Sequence, residues 1–332
     1  MKSRLVRTLA AGAILAATTQ AAWSAEFEWK YFTIYDVADK QTEWGREFAK
    51  AVKDATGGRI EIKVFSGSEL PYKGVDVYRA LSRRQIEIGH SATGFVAQDL
   101  PLVNVMSMPF VCTDMRKFFD VALPKVRNTL DQALFDKFKV RALMHWTMPG
   151  QQVWSTKPIK TAADFKGLKI RTWNREQVAT LTKLGASSAS ITTAEVTPAL
   201  QRGIVDGAFT ASINAAAWNW SQVLKNGYMM NITLAHEVIS VNAAALDELP
   251  PDLRKTFLEV SAAWEGKFRA NVFKLDEEAR ETLVKQGMTL VDPNEADAKA
   301  LRDMTLDIGT AWAEANGAAA AQVLAGVRDN CR

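Results

Sequence analysis

DFKGLKIRTWN, residues 164–174, reads as a turn, a short strand and a single arginine where the strand stops. Leu168 and Ile170 alternate with Lys169, which is the period of a half-buried strand. Arg171 therefore shares a face with Lys169 and stands at a strand end, the place where α/β proteins open onto a ligand crevice. Trp173 and Asn174 fence it. A permanent cation there has two readings: half of a surface salt bridge, or a fork for a ligand's carboxylate.

The same grammar extends to both sides. Upstream, WKYFTIY (29–35), RIEIKVF (59–65), IEIGHSA (86–92) and VRALMHW (140–146) read as strands. Helical patterns over 42–58, 75–85 and about 114–137 separate them, the first with Trp44, Phe48 and Val52 on one face and Gly57 as its stop. Downstream come strands in GQQVWST, GLKIRTW, SSASIT, GAFTAS, YMMNIT and HEVISVN, with helices at 175–184 and about 194–202. Alternation of this kind predicts sheets flanked by helices, an α/β class. From Pro251 to Gln286 an apolar stripe runs unbroken through Leu253, Phe257, Val260, Trp264, Phe268, Val272, Leu275, Ala279 and Leu283. That helix would be roughly 50 Å long, enough to brace two bodies. A further helix is predicted near 295–315.

At 332 residues the chain is long enough for two domains. Its start, MKSRLVR followed by an Ala-rich apolar run and the small residues around Ser24 and Ala25, predicts a cleaved export signal over residues 1–25. Removing Lys2, Arg4 and Arg7 takes the formal charge from +4 to 4 − 3 = +1. No dense basic cluster remains, so nucleic acid is not an expected partner, and no later segment is apolar enough to insert in a membrane. Cys112 and Cys331 fit no metal-ligand spacing; in an oxidising compartment they can pair, or stay two thiols.

Enzyme signals are weak. His90, His145 and His236 are the only histidines, none with a second ligand at metal-binding spacing, so no metal and no cofactor are expected. GHSATG (89–94) follows a strand, but its second glycine comes one position late for a nucleophile elbow around Ser91. Glu237 with Glu248, and Glu87 with Asp99, are carboxylate pairs that surface charge explains.

KPIKTAADFKGLKIRTWN followed by TPALQRGIVDGAF resembles the substrate-binding proteins of tripartite ATP-independent periplasmic (TRAP) transporters. GSELPYKGVDVYRALSRRQIEIG, LVNVMSMPFV and VNAAALDELPPDLRKTF are similar to further segments of that family, in its order, over about residues 27–290. The resemblance implies a two-lobed periplasmic binding protein whose lobes are joined by crossing strands and a bracing helix, with no enzymatic activity. One lobe would take residues 26–148 with about 237–270, the other 149–236 with about 271–305, and 306–332 would form a C-terminal helical segment. Its partners would be a small organic acid and a membrane permease; its place, the periplasm.

The resemblance also implies a role for Arg171, matching the arginine with which most members grip a carboxylate. Members often carry a second arginine where this chain has Gln152, and Glu-Asn after the Asp-Gly where it has Ala208, Phe209 and Thr210. One fixed cation points to a monocarboxylate, and the missing carboxylate argues against a metal-bridged ligand. Gln152 and Thr210 are the expected hydrogen-bond partners; Trp173, Phe209, Trp218 and Trp220 add aromatic bulk around the crevice, with core packing as the other reading of each. From the first lobe Tyr35, Tyr72, Ser91 and Thr93 are the expected polar contacts. Rival readings are a ligand sensor that serves a receptor, and a periplasmic hydrolase acting through Ser91.

Overall fold

A computed structural model describes residues 25–331. The expected export signal lies outside the described residues, Ala25 apart. The chain forms two sheets in two lobes. The first is built from β1 (Phe27–Thr33), β2 (Ile60–Phe65), β3 (Ile88–Ala92) and β4 (Val140–Met148), and the chain then crosses to a second body. There β5 (Gln152–Ser155), β6 (Lys169–Thr172), β7 (Ser187–Ser190), β8 (Gly207–Thr210) and β9 (Asn226–Tyr228) assemble. It returns as β10 (Ala235–Asn242), and β11 (Thr289–Val291) later joins the second sheet. The strand orders are β2-β1-β3-β10-β4 and β11-β9-β5-β8-β6-β7. β1 is parallel to both neighbours, while β10 runs antiparallel between β3 and β4.

Each sheet is covered because its strands are apolar where helices lie on them. The helix Lys40–Ala55 buries Trp44, Phe48 and Val52, four residues apart, and ends at Gly57 and Gly58, both at positive φ. The expected helix over 114–137 is divided instead. A turn at Met115–Lys117 passes through a π-helical turn, Phe118–Ala122, into the helix Leu123–Phe138. Pro124 is the physical reason: it has no N–H to give and its ring crowds the carbonyl four residues back.

The long helix runs Pro251–Lys285. Leu253, Phe257, Trp264, Phe268, Val272 and Ala279 belong to the first-lobe core, where Phe268 meets Trp44 at 5.3 Å and Trp146 at 5.3 Å between ring centres. Leu283 belongs to the second lobe with Trp154 and Trp220. One helix thus has a foot in each core. The tail is helical over Glu295–Cys331, interrupted at Gly317 (φ +83°). Leu301 packs in the second lobe, whereas Trp312, Leu324 and Val327 pack in the first. A disulfide, Cys112–Cys331, fastens the end of this helix to the first lobe.

The expected strand YMMNIT is a strand only to Tyr228. The residues after it cross between the lobes beside the 149–151 crossing, and backbone hydrogen bonds join the two crossings: Gln151 N–H to Thr233 O (2.8 Å) and Ile232 N–H to Gln151 O (3.2 Å). Gly150 permits this approach, since a Cβ there would stand 2.1 Å from Asn231 Oδ1.

Candidate functional site

The ends of β1, β3, β4, β6 and β8 point at one another across the gap between the lobes. Parallel strands deliver their C-terminal ends to one edge, so side chains just past those ends line the gap. The result is a narrow cleft between the lobes. From the first lobe it takes Ile34, Tyr35, Ala92, Phe95, Met148 and, on β10, Ala235 and Glu237; from the crossing, Gln151; from the second lobe, Arg171, Trp173, Thr193, Thr210, Asn214 and Trp218.

Arg171 is 3% exposed, which removes the surface reading. Its Nε donates to Ile191 O (2.9 Å) and its Nη1 to Phe209 O (3.0 Å). These bonds fix the plane of the guanidinium and leave Nη2 without a protein acceptor among the described residues. No carboxylate of the described residues pairs with it, and burial pushes its pKa down to about 9. It remains a cation at neutral pH. A buried cation without a counter-ion costs several kcal/mol that a paired one recovers in part, so the cleft favours entry of an anion.

Glu237 is the second charge-bearing group in the cleft, 1% exposed. The Tyr35 hydroxyl donates to its Oε1 (3.1 Å). His90 Nε2 lies 3.1 Å from Oε2 but off the line of a hydrogen bond, while His90 Nδ1 meets Thr33 Oγ1 at 2.9 Å. Burial raises the Glu237 carboxyl above its ordinary pKa, and His90 opposes that rise. Tyr35 stands between the poles: burial and Glu237 raise its hydroxyl's pKa, and Arg171 lowers it.

The lobes touch across the cleft. The Trp173 ring covers Gly94, whose notional Cβ would lie 2.1 Å from Cζ3, and it meets the Phe95 ring at 6.0 Å between centres. Trp218 Nε1 donates to Asp39 Oδ1 (3.2 Å), and Lys73 pairs with Glu195 at 3.7 Å. The arrangement is closed.

Of the residues singled out in the sequence, Arg171, Trp173, Thr210, Trp218 and Tyr35 line the cleft together. The others stand elsewhere. Gln152 spends its amide on Asn231, donating to Oδ1 (2.6 Å) and accepting from the backbone N–H (2.9 Å), so it clasps the crossings. Phe209 is fully buried in the second-lobe core, and only its carbonyl reaches Arg171. Trp220 is likewise core, donating to Thr197 Oγ1 (3.0 Å). Tyr72 packs edge-on against Phe32 and lines a neighbouring groove. The Ser91 hydroxyl donates to Gly74 O (3.1 Å) and Ala92 O (3.3 Å) and faces no base. Thr93 is buried with its hydroxyl unpartnered, beside the cleft lining.

Glu237, Gln151, Asn214 and Met148 were not foreseen. Surface charge accounts for Glu248, which is exposed on Arg84, but not for Glu237, which is buried in the cleft. No local signal marks it: His236, Val238, Ser240 and Asn242 share one face of the strand, and the burial of both faces is a result of the fold. The histidines, far apart in sequence, are not all apart in space: His145 Nδ1 and His236 Nε2 are 2.9 Å apart, and His145 Nε2 meets Asp131 at 2.7 Å. No group of three or more metal-ligating side chains occurs among the described residues.

Residues 37–314 match the family described as bacterial extracellular solute-binding protein, family 7. A solute-binding protein of Albidiferax ferrireducens is 25% identical over 272 residues, covering 80% of this chain and 79% of the relative. The C4-dicarboxylate-binding periplasmic protein DctP of Rhodobacter capsulatus is 24% identical over 270 residues, 81% and 78% of the two chains. In structure, the chain is similar to DctP7 of Bordetella pertussis, an extracytoplasmic solute receptor binding pyroglutamic acid. The TM-score is 0.85 at 25% identity, over 91% of this chain and 99% of that one.

Proposed function

The chain belongs to family 7 of the bacterial extracellular solute-binding proteins, the TRAP solute receptors, and from that premise we propose that it carries a small organic monocarboxylate held on Arg171. It is a receptor and not an enzyme, as its family is. The observation that carries the carboxylate reading is Arg171 itself: buried in the cleft lining, anchored through Nε and Nη1 on two carbonyls, and with Nη2 unpaired among the described residues. A planar fork held in this way fits a carboxylate better than a lysine would. Among the described residues that line the cleft, Arg171 is the one cation, and a second ligand carboxylate would find the acid Glu237 in its neighbourhood. That supports a monocarboxylate over a dicarboxylate, and the pyroglutamic acid of the Bordetella neighbour is of this kind. Ile34, Ala92, Phe95, Trp173 and Trp218 supply an apolar and aromatic surround for the rest of the molecule.

Both lobes contribute to the cleft, so a ligand that touches both favours the closed form. The lobes turn as bodies bounded near the crossings at 149–151 and 229–234, and the closed, loaded receptor docks on a membrane permease outside the cytoplasm. Calorimetry of the mature protein against monocarboxylates and dicarboxylates tests the reading. Arg171→Ala is expected to fold and to lose ~2–5 kcal/mol of affinity, since the ligand's carboxylate is left unpaired on closure. A folded variant that binds its acid as well as the wild type would remove the clamp.

A further inference from the structure

The clamp accounts for one pole of the cleft and leaves the other idle. The second lobe contributes donors: among the described residues Arg171 Nη2 has no acceptor, and the Asn214 Nδ2 group is buried without a partner. The first lobe contributes an acceptor, the Glu237 carboxyl in the cleft lining, whose Oε1 takes the Tyr35 hydroxyl and whose buried Oε2 has only His90 Nε2 beside it, at 3.1 Å and off the line of a hydrogen bond. Buried polar atoms are nearly always satisfied, and at a cleft lining a ligand can do this. Among the described residues the two poles make no ion pair with each other, and Tyr35 of the cleft lining bonds Glu237. A ligand lying across the cleft with its carboxylate in the second lobe would therefore present its opposite side to Glu237.

We propose that Glu237 is a specificity residue which accepts a hydrogen bond from an N–H of the ligand, so that the solute class is compact carboxylates bearing an N–H group. The inference rests on the carboxylate reading of Arg171. An N–H is preferred to a hydroxyl for a physical reason. A hydroxyl brings an oxygen acceptor that needs a donor of its own, and the rest of the first-lobe lining is Ile34, Ala92, Phe95, Met148 and Ala235, with the Tyr35 hydroxyl and the His90 ring already turned to Glu237. An amide N–H brings no lone pair to satisfy, whereas a sugar acid would strand several buried oxygens. The Glu237 carboxyl keeps an acceptor lone pair in either protonation state.

The test is a pair of probes that differ at one atom: L-pyroglutamate, and the five-membered lactone acid in which ring oxygen replaces the ring N–H. By calorimetry the wild type is expected to bind the lactam at least tenfold more tightly than the lactone. Glu237→Met is expected to bring the two within twofold, mainly by weakening the lactam, while Glu237→Gln, which retains an acceptor, keeps part of the preference. A thermal scan of each variant reports folding, and the wild-type ratio stands without any variant. Equal wild-type affinities overturn the inference, as does failure of the wild type to bind either ring, or a preference undiminished in folded Glu237→Met. Arg171→Ala separates this from the clamp. Equal loss of both rings is the clamp's signature, and a variant that still binds both while discriminating between them refutes the clamp and leaves Glu237 standing.

Discussion

Lys169 and Arg171 are two residues apart on one face of β6, yet the first is exposed and the second buried. The difference is what covers them: the carbonyls of Ile191 and Phe209 come down on the arginine. Lysine cannot replace it at this site, because one ammonium cannot reach both carbonyls and a ligand in the fixed plane that the guanidinium provides. Arg171→Lys is therefore expected to retain the fold and to lose at least tenfold in affinity for the acid wild type binds best. Titration calorimetry with an unfolding control checks it, and unchanged affinity would mean that charge alone, without geometry, serves. The residue scale also holds the clearest limit of reading the chain by type. Gln152 and Gln151 are chemically identical neighbours, one spent on Asn231 and the other lining the cleft.

At the scale of elements, closure depends on how the short helix Thr93–Val96 meets the residues after β6. Gly94 leaves the space into which Trp173 settles. Gly94→Ala puts a methyl 2.1 Å from the indole, a contact no rotamer of alanine relieves. The substitution opposes closure and leaves each lobe's core intact, so ligand affinity should drop about tenfold or more with a stability change under about 1 kcal/mol. Small-angle scattering with and without ligand reads the same event, and full compaction at wild-type affinity would show that Trp173 moves aside. Asp39, just ahead of the helix Lys40–Ala55, accepts the Trp218 indole from the opposite lobe. Burial raises its pKa from 3.8 to about 6, against hydrogen bonds from Asp36 and Trp218 that lower it. An acid whose pKa is higher folded than unfolded holds its proton more tightly when folded. Its contribution therefore grows as pH falls through about 6 toward 4 and is lost as pH rises. Glu176 and Glu237, also raised, act in the same direction. Asp39→Asn should thus flatten the dependence of unfolding free energy on pH between 4 and 7, by up to about 3 kcal/mol. Identical slopes in denaturant titrations of the two proteins would count against the burial of Asp39.

For the molecule as a whole, three connections hold the lobes to each other: the paired crossings, the long helix, and the tail. The tail leaves the second lobe at Leu301 and ends in the first, where Cys331 bonds Cys112, with the two Cα atoms 4.8 Å apart. The bond closes a loop across a separation of 219 residues. Cys331→Ser is expected to cost roughly 2–5 kcal/mol of stability, as removal of a native cross-link does. Ligand affinity should stay within about twofold, because neither cysteine lines the cleft. Equilibrium unfolding with a parallel calorimetric titration measures both, and an unchanged unfolding midpoint would show that tail packing alone fixes the helix.

Local pattern was enough for the class and much of its grammar. Period-two alternation marked WKYFTIY and RIEIKVF, and an apolar stripe marked the helix Pro251–Lys285, because burying a face leaves a periodic trace in the residues that bury it. The arginine at the end of β6 was legible for the same reason: a strand end is a local event. What the sequence could not carry is convergence. Glu237 stands in the cleft with Tyr35 although 202 residues separate them, and Ser91 is turned from it although it adjoins Ala92, which lines it. Cys112 and Cys331, which the sequence left free to pair or not, meet only because the tail helix crosses back over the first lobe. Which polar atoms remain unsatisfied at a site is decided by neighbours brought from every part of the chain, and those neighbours exist only once both lobes have folded and met.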